Sequence, residues 1–144
     1  MNANQAGAVR LEQRSEGAAC GAGERVIAIG AGWMALAVTA GALGAHSLKP
    51  HFVEEGLEWW RTAVLYHALH ALGLVGYGLF LRGRTLRPWP GILFTLGILL
   101  FAGSLYPMAL GAPRWLGMIT PVGGSAWIAG WVGFALQARS ARAA

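Results

Sequence analysis

Charged side chains are scarce in this 144-residue chain, and four long stretches lack them altogether. Asp, Glu, Lys and Arg make up 12% of the residues, about half the share found in soluble domains. None of them occurs in residues 26–48, 62–81, 88–113 or 115–138. The length allows a single domain, but a soluble domain needs a charged surface that this chain cannot supply.

Cysteine and the usual enzyme signatures are nearly absent as well. The one cysteine, Cys20, cannot form a disulfide within the chain, and it precedes an apolar stretch instead of following one, unlike the cysteine of a lipid anchor. The sequence has no Cys–His cluster, glycine-rich phosphate loop or nucleophile elbow. These absences favour a protein that is not an enzyme and that has no cofactor.

What the chain does contain is apolar sequence, with hydrophobic residues making up 56% of it. A helix rises about 1.5 Å per residue, so about 20 apolar residues cross the hydrocarbon core of a bilayer. Four windows satisfy this requirement: 26–44, 62–81, 91–110 and 118–136. Short connections make neighbouring helices antiparallel. The sequence therefore predicts an all-α, integral membrane, up-down four-helix bundle over residues 25–138.

The basic residues predict the orientation of this bundle. The net charge is +5, but Lys and Arg lie at the ends of apolar segments and form no continuous stripe, which argues against a nucleic-acid partner. Lys and Arg accumulate in cytoplasmic loops. Eight of the 11 would lie on one side: Arg10, Arg14, Arg25, Arg82, Arg84, Arg87, Arg139 and Arg142. We therefore expect a multi-pass protein of the cell inner membrane with both termini in the cytoplasm.

The segments outside the predicted spans carry further expectations. Residues 1–24 have no apolar stripe, so we expect a disordered tail, and residues 139–144 form a short cytoplasmic tail. Arg25 and the apolar run after it also fit a cleaved signal peptide, although the run is long for one. The amphipathic stretch 52–60 predicts a helix along the outer interface. Aromatic side chains should lie at the membrane boundaries: Trp59, Trp60, Tyr106 and Trp115 outside, and Trp89 inside.

Small residues recur at four-residue spacing in the first and fourth predicted helices, a pattern that allows helix backbones to approach closely in lipid. Packing within the bundle, packing against other membrane proteins and self-association all fit this pattern. The candidate packing residues are Gly32, Gly41, Gly44, Pro121, Gly123, Gly124 and Gly130.

Polar side chains from all four predicted helices should gather in the outer half of the membrane, whereas the inner half has no comparable set. The candidate cluster contains His46, His67, His70, Ser104, Tyr106 and Thr120. One interpretation is hydrogen bonding between helices. The other is a shallow site for a metal, haem, quinone headgroup or small ligand. Histidines without a carboxylate make a weak metal site, so no metal is assigned.

Several motifs resemble those of a known family. They are Gly44-Ala-His46, Trp60-Arg-Thr-Ala-Val-Leu-Tyr-His-Ala-Leu-His70, Phe101-Ala-Gly-Ser-Leu-Tyr106 and Leu116-Gly-Met-Ile-Thr-Pro-Val-Gly-Gly124 with Gly130-Trp131. Together they resemble the YgdD-like family of small membrane proteins, also called the transmembrane protein 256 family or domain of unknown function family 423, over residues 26–136. His46, His70, Ser104, Tyr106, Thr120, Pro121 and Gly124 match its pattern, whereas the family carries Gln as readily as His at the position of His67. The resemblance implies a four-helix integral membrane protein, and it assigns no biochemical activity or catalytic residues. We expect a structural or accessory membrane subunit in the lipid bilayer.

Overall fold

Four long helices account for most of the chain. The computed structural model describes residues 3–84 and 87–141, and among these residues it contains no strand. The helices are α1 (Ala3–Ala45), α2 (Gly56–Leu81), α3 (Trp89–Ala109) and α4 (Thr120–Ser140). One-turn 3-10 helices at Lys49–His51 and Arg114–Met118 lie in the connections. Each predicted span falls on one of the four helices, and the all-α four-helix prediction is confirmed.

The first helix begins much earlier than the sequence predicts. The segment expected to be a disordered tail is helical from Ala3 onward, while Met1 and Asn2 lie outside the described residues. Two physical effects were underestimated. Ala, Glu, Gln and Arg, which make up more than half of residues 3–24, are good helix formers, and extending an existing helix avoids the cost of nucleation. The part of α1 that is apolar enough to cross a membrane is Gly21–Ala45.

The predicted interfacial helix over residues 52–60 does not form as a separate element. Phe52 is extended, and α2 begins at Gly56. The Val53 N–H donates to the carbonyl of Ala109 at 3.1 Å, and a Cβ at Gly56 would run into the same carbonyl. Glu55 accepts a 3.0 Å charged hydrogen bond from Arg114. Residues 52–55 therefore tie the two connections at this end together instead of lying along the membrane surface.

The helices are arranged around α2. α1 packs along α2, α3 packs against α2 on another side, and α4 packs mainly against α3. Aromatic side chains bridge α2 and α4. We call the end formed by residues 45–56 and 109–120 the distal end, and the opposite end, formed by residues 21–25, 82–84, 87–89 and 137–141, the terminal end.

Small residues at seven-residue spacing hold α1 against α2. Gly23, Gly30, Ala37 and Gly44 are the buried residues of α1 in its spanning part. A Cβ at Gly23 would lie 2.8 Å from the carbonyl oxygen of Gly78 in α2, and one at Gly30 would lie 2.9 Å from a backbone nitrogen of α2. This spacing matches the 3.5-residue period of a coiled-coil seam. The seam differs from the predicted four-residue pattern. Gly32 faces outward, where an added Cβ would have no atom within 4 Å, and a Cβ added at Gly41 would contact only Val64.

Tryptophan side chains fill the space that glycines leave between helices. In four places a Cβ on a glycine would overlap an indole ring of the facing helix: Gly44 with Trp60, Gly73 with Trp131, Gly97 with Trp127 and Gly133 with Trp89. Two indole N–H groups also donate across helices, from Trp60 to the Ala40 carbonyl at 2.9 Å and from Trp127 to the Phe94 carbonyl at 3.1 Å. Trp60 is thus 7% exposed and part of the core, whereas the sequence placed it at the headgroups.

A π-helical turn interrupts α3 over Ile98–Ala102. The N–H of Gly103 donates to the carbonyl of Ile98, five residues earlier. Such a turn inserts one residue and rotates the faces of the helix on either side of it. Beyond it, Leu105 packs with Ala63 of α2, while Ser104 bonds to Thr120 at the start of α4.

Candidate functional site

The six candidate polar residues form three separate contacts instead of one cluster. His46 is exposed at the end of α1, and its side chain takes part in none of these contacts among the described residues. Ser104 and Tyr106 are two positions apart on α3, and successive helical residues differ by about 100°. Their side chains therefore point to different sides of the bundle, one toward α4 and the other toward α2. This rotation separates Ser104 from Tyr106, which were predicted to lie in one cluster.

The first contact joins three helices at His67, which is 3% exposed. Its Nδ1 lies 3.2 Å from the Tyr106 hydroxyl of α3, and its ring meets Trp33 of α1 edge-on at 5.3 Å between centroids. Its Nε2 has no hydrogen-bond partner among the described residues. Among the described residues it is the only side-chain nitrogen or oxygen that is both inaccessible to solvent and without a hydrogen-bond partner. This contact is a packed junction of α1, α2 and α3.

The second contact joins α3 to the start of α4. Ser104 Oγ lies 2.8 Å from the Phe101 carbonyl and 2.7 Å from Thr120 Oγ1. A hydroxyl has one proton and a carbonyl can only accept, so Ser104 donates to Phe101 and Thr120 donates to Ser104. Gly123 packs one turn further along α4, where a Cβ would lie 2.5 Å from the backbone nitrogen of Phe101. The contact is therefore satisfied internally.

The remaining predicted packing residues of α4 differ in their surroundings. Gly130 is buried, and a Cβ there would contact Leu93 and Phe94 of α3 at 3.4 Å. Gly124 is half-buried, with Phe101 at 4.0 Å. Pro121 is exposed. Only one side of the early part of α4 is therefore packed against α3.

The third contact places His70 between α2 and α4. Its ring is stacked on Trp127 at 3.7 Å between centroids and 5° between planes. Its Nδ1 lies 2.7 Å from the carbonyl oxygen of Tyr66, one turn earlier in α2. His70 is 8% exposed, so it faces the interior, but away from His67 and toward a different helix.

Sequence reasoning missed a polar contact near the terminal end. Tyr77 Oη lies 2.7 Å from the Arg87 carbonyl and 2.9 Å from Gln137 Oε1, and Gln137 Nε2 donates to the same carbonyl at 3.1 Å. The single hydroxyl proton can be fully donated to one acceptor, and the carbonyl is the nearer. The terminal end therefore contains a polar contact that was not among the predicted residues. Tyr77 follows His67 and His70 at helical spacing in α2, and this spacing was the sequence signal that could have predicted the contact.

A groove between α2 and α4 opens at the surface beside His70. Its volume is about 490 Å³, within the range of small-molecule sites. Aromatic rings form most of its lining: Tyr66, His70, Phe101, Trp127 and Trp131, with the hydroxyls of Thr62 and Ser125 nearer the distal end. Within the described residues no three His, Cys, Asp or Glu side chains come together as metal ligands. The groove is therefore suited to an apolar, ring-containing molecule with few polar groups.

The fold and this interior define the class of the protein. All four spans are long and apolar enough to cross a membrane, and most polar side chains between them bond to one another or to backbone carbonyls, as lipid requires. This is an integral membrane protein of the four-helix type. The family described as "Protein of unknown function (DUF423)" matches residues 40–124, more than half of the chain. The chain belongs to this family, as its motifs predicted.

Relatives from several bacteria support this assignment. A UPF0382 membrane protein of Staphylococcus haemolyticus is 40% identical over 107 residues, covering 74% of this chain and 88% of the relative. The UPF0382 membrane protein YwdK of Bacillus subtilis is 42% identical over 100 residues, covering 67% and 81%. The UPF0382 inner membrane protein YgdD of Escherichia coli K12 is 36% identical over 96 residues, covering 65% and 73%. No solved structure matches the chain.

The three tyrosines provide a graded test of the polar contacts. We expect Tyr77→Phe to lower the free energy of unfolding by about 1–2 kcal/mol, because it removes a hydrogen bond from α2 to the Arg87 carbonyl, and Tyr106→Phe by about 0.5–1 kcal/mol, because it removes one between α3 and α2. Tyr66→Phe should change it by less than about 0.5 kcal/mol, since the Tyr66 hydroxyl has no hydrogen-bond partner within the described part of the chain. Unfolding in mixed detergent micelles measures all three, and a loss for Tyr66→Phe equal to the others would contradict the assignment.

Proposed function

We propose that this protein is a non-catalytic accessory subunit of the cell inner membrane that packs against a helix of another membrane protein through the outer face of α1. The observation that carries the proposal is the low burial of this helix. In an apolar 18-residue stretch of each span, 11% of the residues are buried in α1, against 44% in α2 and α3 and 22% in α4. α1 is held almost entirely by α2, so most of its circumference is available to another protein.

The outward face of α1 has a line of small side chains beside a line of larger ones, as helix-packing surfaces do. A line of small residues runs along it, made up of Ala28, Gly32, Ala35, Thr39 and Ala42, all of them exposed. Beside this line the larger side chains of Ile29, Leu36 and Leu43 form a ridge at seven-residue spacing. Small residues let a facing backbone approach closely, whereas contact with lipid makes no such demand. The exposed faces of α2 and α4 carry mostly larger side chains.

The tight seam on the opposite side of α1 supports the same function. Gly23 and Gly30 bring α1 within backbone contact of α2, and Trp60 is seated over Gly44 at the distal end. α1 is therefore fixed to the rest of the bundle along its whole span. A rigid helix binds a partner with less loss of conformational entropy than a mobile one.

The distribution of basic residues supports an orientation with both termini in the cytoplasm. Arg25, Arg82, Arg84, Arg87 and Arg139 are exposed at the terminal end. Lys49, Arg61 and Arg114 are exposed at the distal end, where Arg114 is paired with Glu55. Retention of Lys and Arg in the cytoplasm favours the terminal end as the inner one. The Escherichia coli relative is named an inner membrane protein, which supports the inner membrane as the location of this chain.

Photocrosslinking tests the α1 face. Leu36 on α1 is 56% exposed and Val132 on α4 is 54% exposed, so p-benzoylphenylalanine in place of either residue samples a comparable environment. We expect irradiation of native membranes to give a discrete adduct with another membrane protein from position 36 and none from position 132. An adduct at twice the 15.2 kDa mass of the chain would instead assign the face to a second copy.

Leucine substitutions provide the matched control. Gly32→Leu should abolish the adduct, because its side chain fills the line of small residues. Gly76→Leu should leave the adduct intact, since Gly76 in α2 has, like Gly32, no atom within 4 Å of an added Cβ. Equal adduct yields from positions 36 and 132, or an adduct that survives Gly32→Leu, would contradict the proposal.

Cysteine labelling in intact cells tests the orientation. In a Cys20→Ser background, Glu54→Cys at the distal end should react with a membrane-impermeant maleimide, because that end faces outward in the proposed topology. Arg84→Cys at the terminal end should react only after the cells are permeabilised. Both positions are exposed, so burial does not bias the comparison. The reverse labelling pattern would rule out the orientation.

A further inference from the structure

His70 leaves an unused hydrogen-bond acceptor in the groove between α2 and α4. We propose that this groove binds a quinol, a hydroxylated ring compound of the membrane, whose hydroxyl donates to Nε2 of His70. The inference goes beyond the accessory function, because it concerns a different face of the bundle and does not depend on α1.

The backbone of α2 fixes which nitrogen of His70 accepts. Nδ1 lies 2.7 Å from the Tyr66 carbonyl, and a carbonyl can only accept, so Nδ1 carries a proton. In a neutral imidazole Nε2 then holds the lone pair. Nε2 has no hydrogen-bond partner among the described residues, yet it is not sealed as His67 Nε2 is. A side chain that is 8% exposed thus presents a bare acceptor where it lines the groove.

The walls of the groove fit a flat ring. The rings of Tyr66, His70 and Trp127 are nearly parallel, with 14° between Tyr66 and His70 and 12° between Tyr66 and Trp127. Trp131 closes one end and is 44% exposed. Aromatic rings favour stacked and edge contacts with other rings. A volume of about 490 Å³ accommodates one ring with the start of an aliphatic tail, and the open side lets the rest of the tail enter lipid.

The depth of His70 excludes the headgroup of an ordinary phospholipid. His70 follows Thr62, where the charge-free window of α2 begins, by eight positions, which is about 12 Å along the helix axis. Phospholipid headgroups stay at the interface, whereas the ring of a quinol is apolar enough to enter the hydrocarbon. The groove runs from Pro121 and Ser125 near the distal end down to His70 and Trp131, which provides a path to that depth.

A bare acceptor distinguishes the two redox forms of such a ring. A quinol hydroxyl donates to Nε2, but the carbonyl of a quinone places a second lone pair opposite the first. We therefore expect the groove to bind the quinol more tightly, by about three- to tenfold, the value of one hydrogen bond in a partly apolar site. The proposal concerns binding alone and includes no electron transfer.

Calorimetric titration of the purified full-length protein in detergent micelles tests this inference. The probes are decylubiquinol and decylubiquinone, each titrated also into empty micelles. The protein should bind one equivalent of decylubiquinol about three- to tenfold more tightly than decylubiquinone. His70→Phe keeps a ring against Trp127 but removes the acceptor, so it should bring the two affinities within about twofold. His46→Phe, at an exposed histidine, should leave the preference unchanged.

A second variant separates loss of the site from loss of the fold. Ser125 is exposed and lines the groove, so Ser125→Leu should block both probes while the melting temperature stays near that of the unmodified chain. Three results would each overturn the proposal: no saturable binding of either probe, equal affinity for the two redox forms, or a preference that persists in His70→Phe. If the His70→Phe chain does not fold, the first two results and the titration of Ser125→Leu still test the proposal.

Discussion

Close contact between indole rings and glycines of the facing helix is the interaction on which the rest of this structure depends. In water, helices associate because burial removes apolar surface from solvent, but lipid tails are as apolar as leucine. Helices in a bilayer must instead be held by dispersion contacts and hydrogen bonds. A glycine provides a flat stretch of backbone, and an indole covers it with the largest ring among the side chains. The structure repeats this contact between α1 and α2, between α2 and α4, and twice between α3 and α4.

The positions of the polar groups follow from these contacts. Trp60 on Gly44 fixes α1 against α2 at the distal end, which places Trp33 against His67 and leaves Tyr106 as the partner of His67. Trp127 on Gly97 and Trp131 on Gly73 fix α4 at a distance from α2 that only aromatic rings span. That spacing produces the groove beside His70. The same packing leaves the outer side of α1 uncovered, so both proposed surfaces follow from how the tryptophans are seated.

The sequence predicted the features that depend on composition and on position along one helix. The four spans follow from the charge-free windows along the chain. Features that depend on the distance between helices were not predictable in the same way. Trp60 was assigned to the headgroups because its N–H needs a polar partner, but the Ala40 carbonyl provides one inside the bundle. The rotation in α3 comes from a π-turn that no residue type marks clearly. The sequence contains the seven-residue seam of α1 as Gly23, Gly30, Ala37 and Gly44. The four-residue pattern beside it, however, predicts a different packing face.

A double-mutant cycle at Gly133 and Trp89 tests the central claim most directly. A Cβ at Gly133 would overlap the indole of Trp89, so Gly133→Ala should lower the free energy of unfolding by about 1–3 kcal/mol. In a Trp89→Leu background the overlap is gone, and alanine favours the helix by up to about 1 kcal/mol over glycine. The account therefore predicts that Gly133→Ala is neutral or stabilising there, with a coupling energy above about 1 kcal/mol. An equal loss of stability in both backgrounds would show that the indole does not depend on the glycine and would contradict the account.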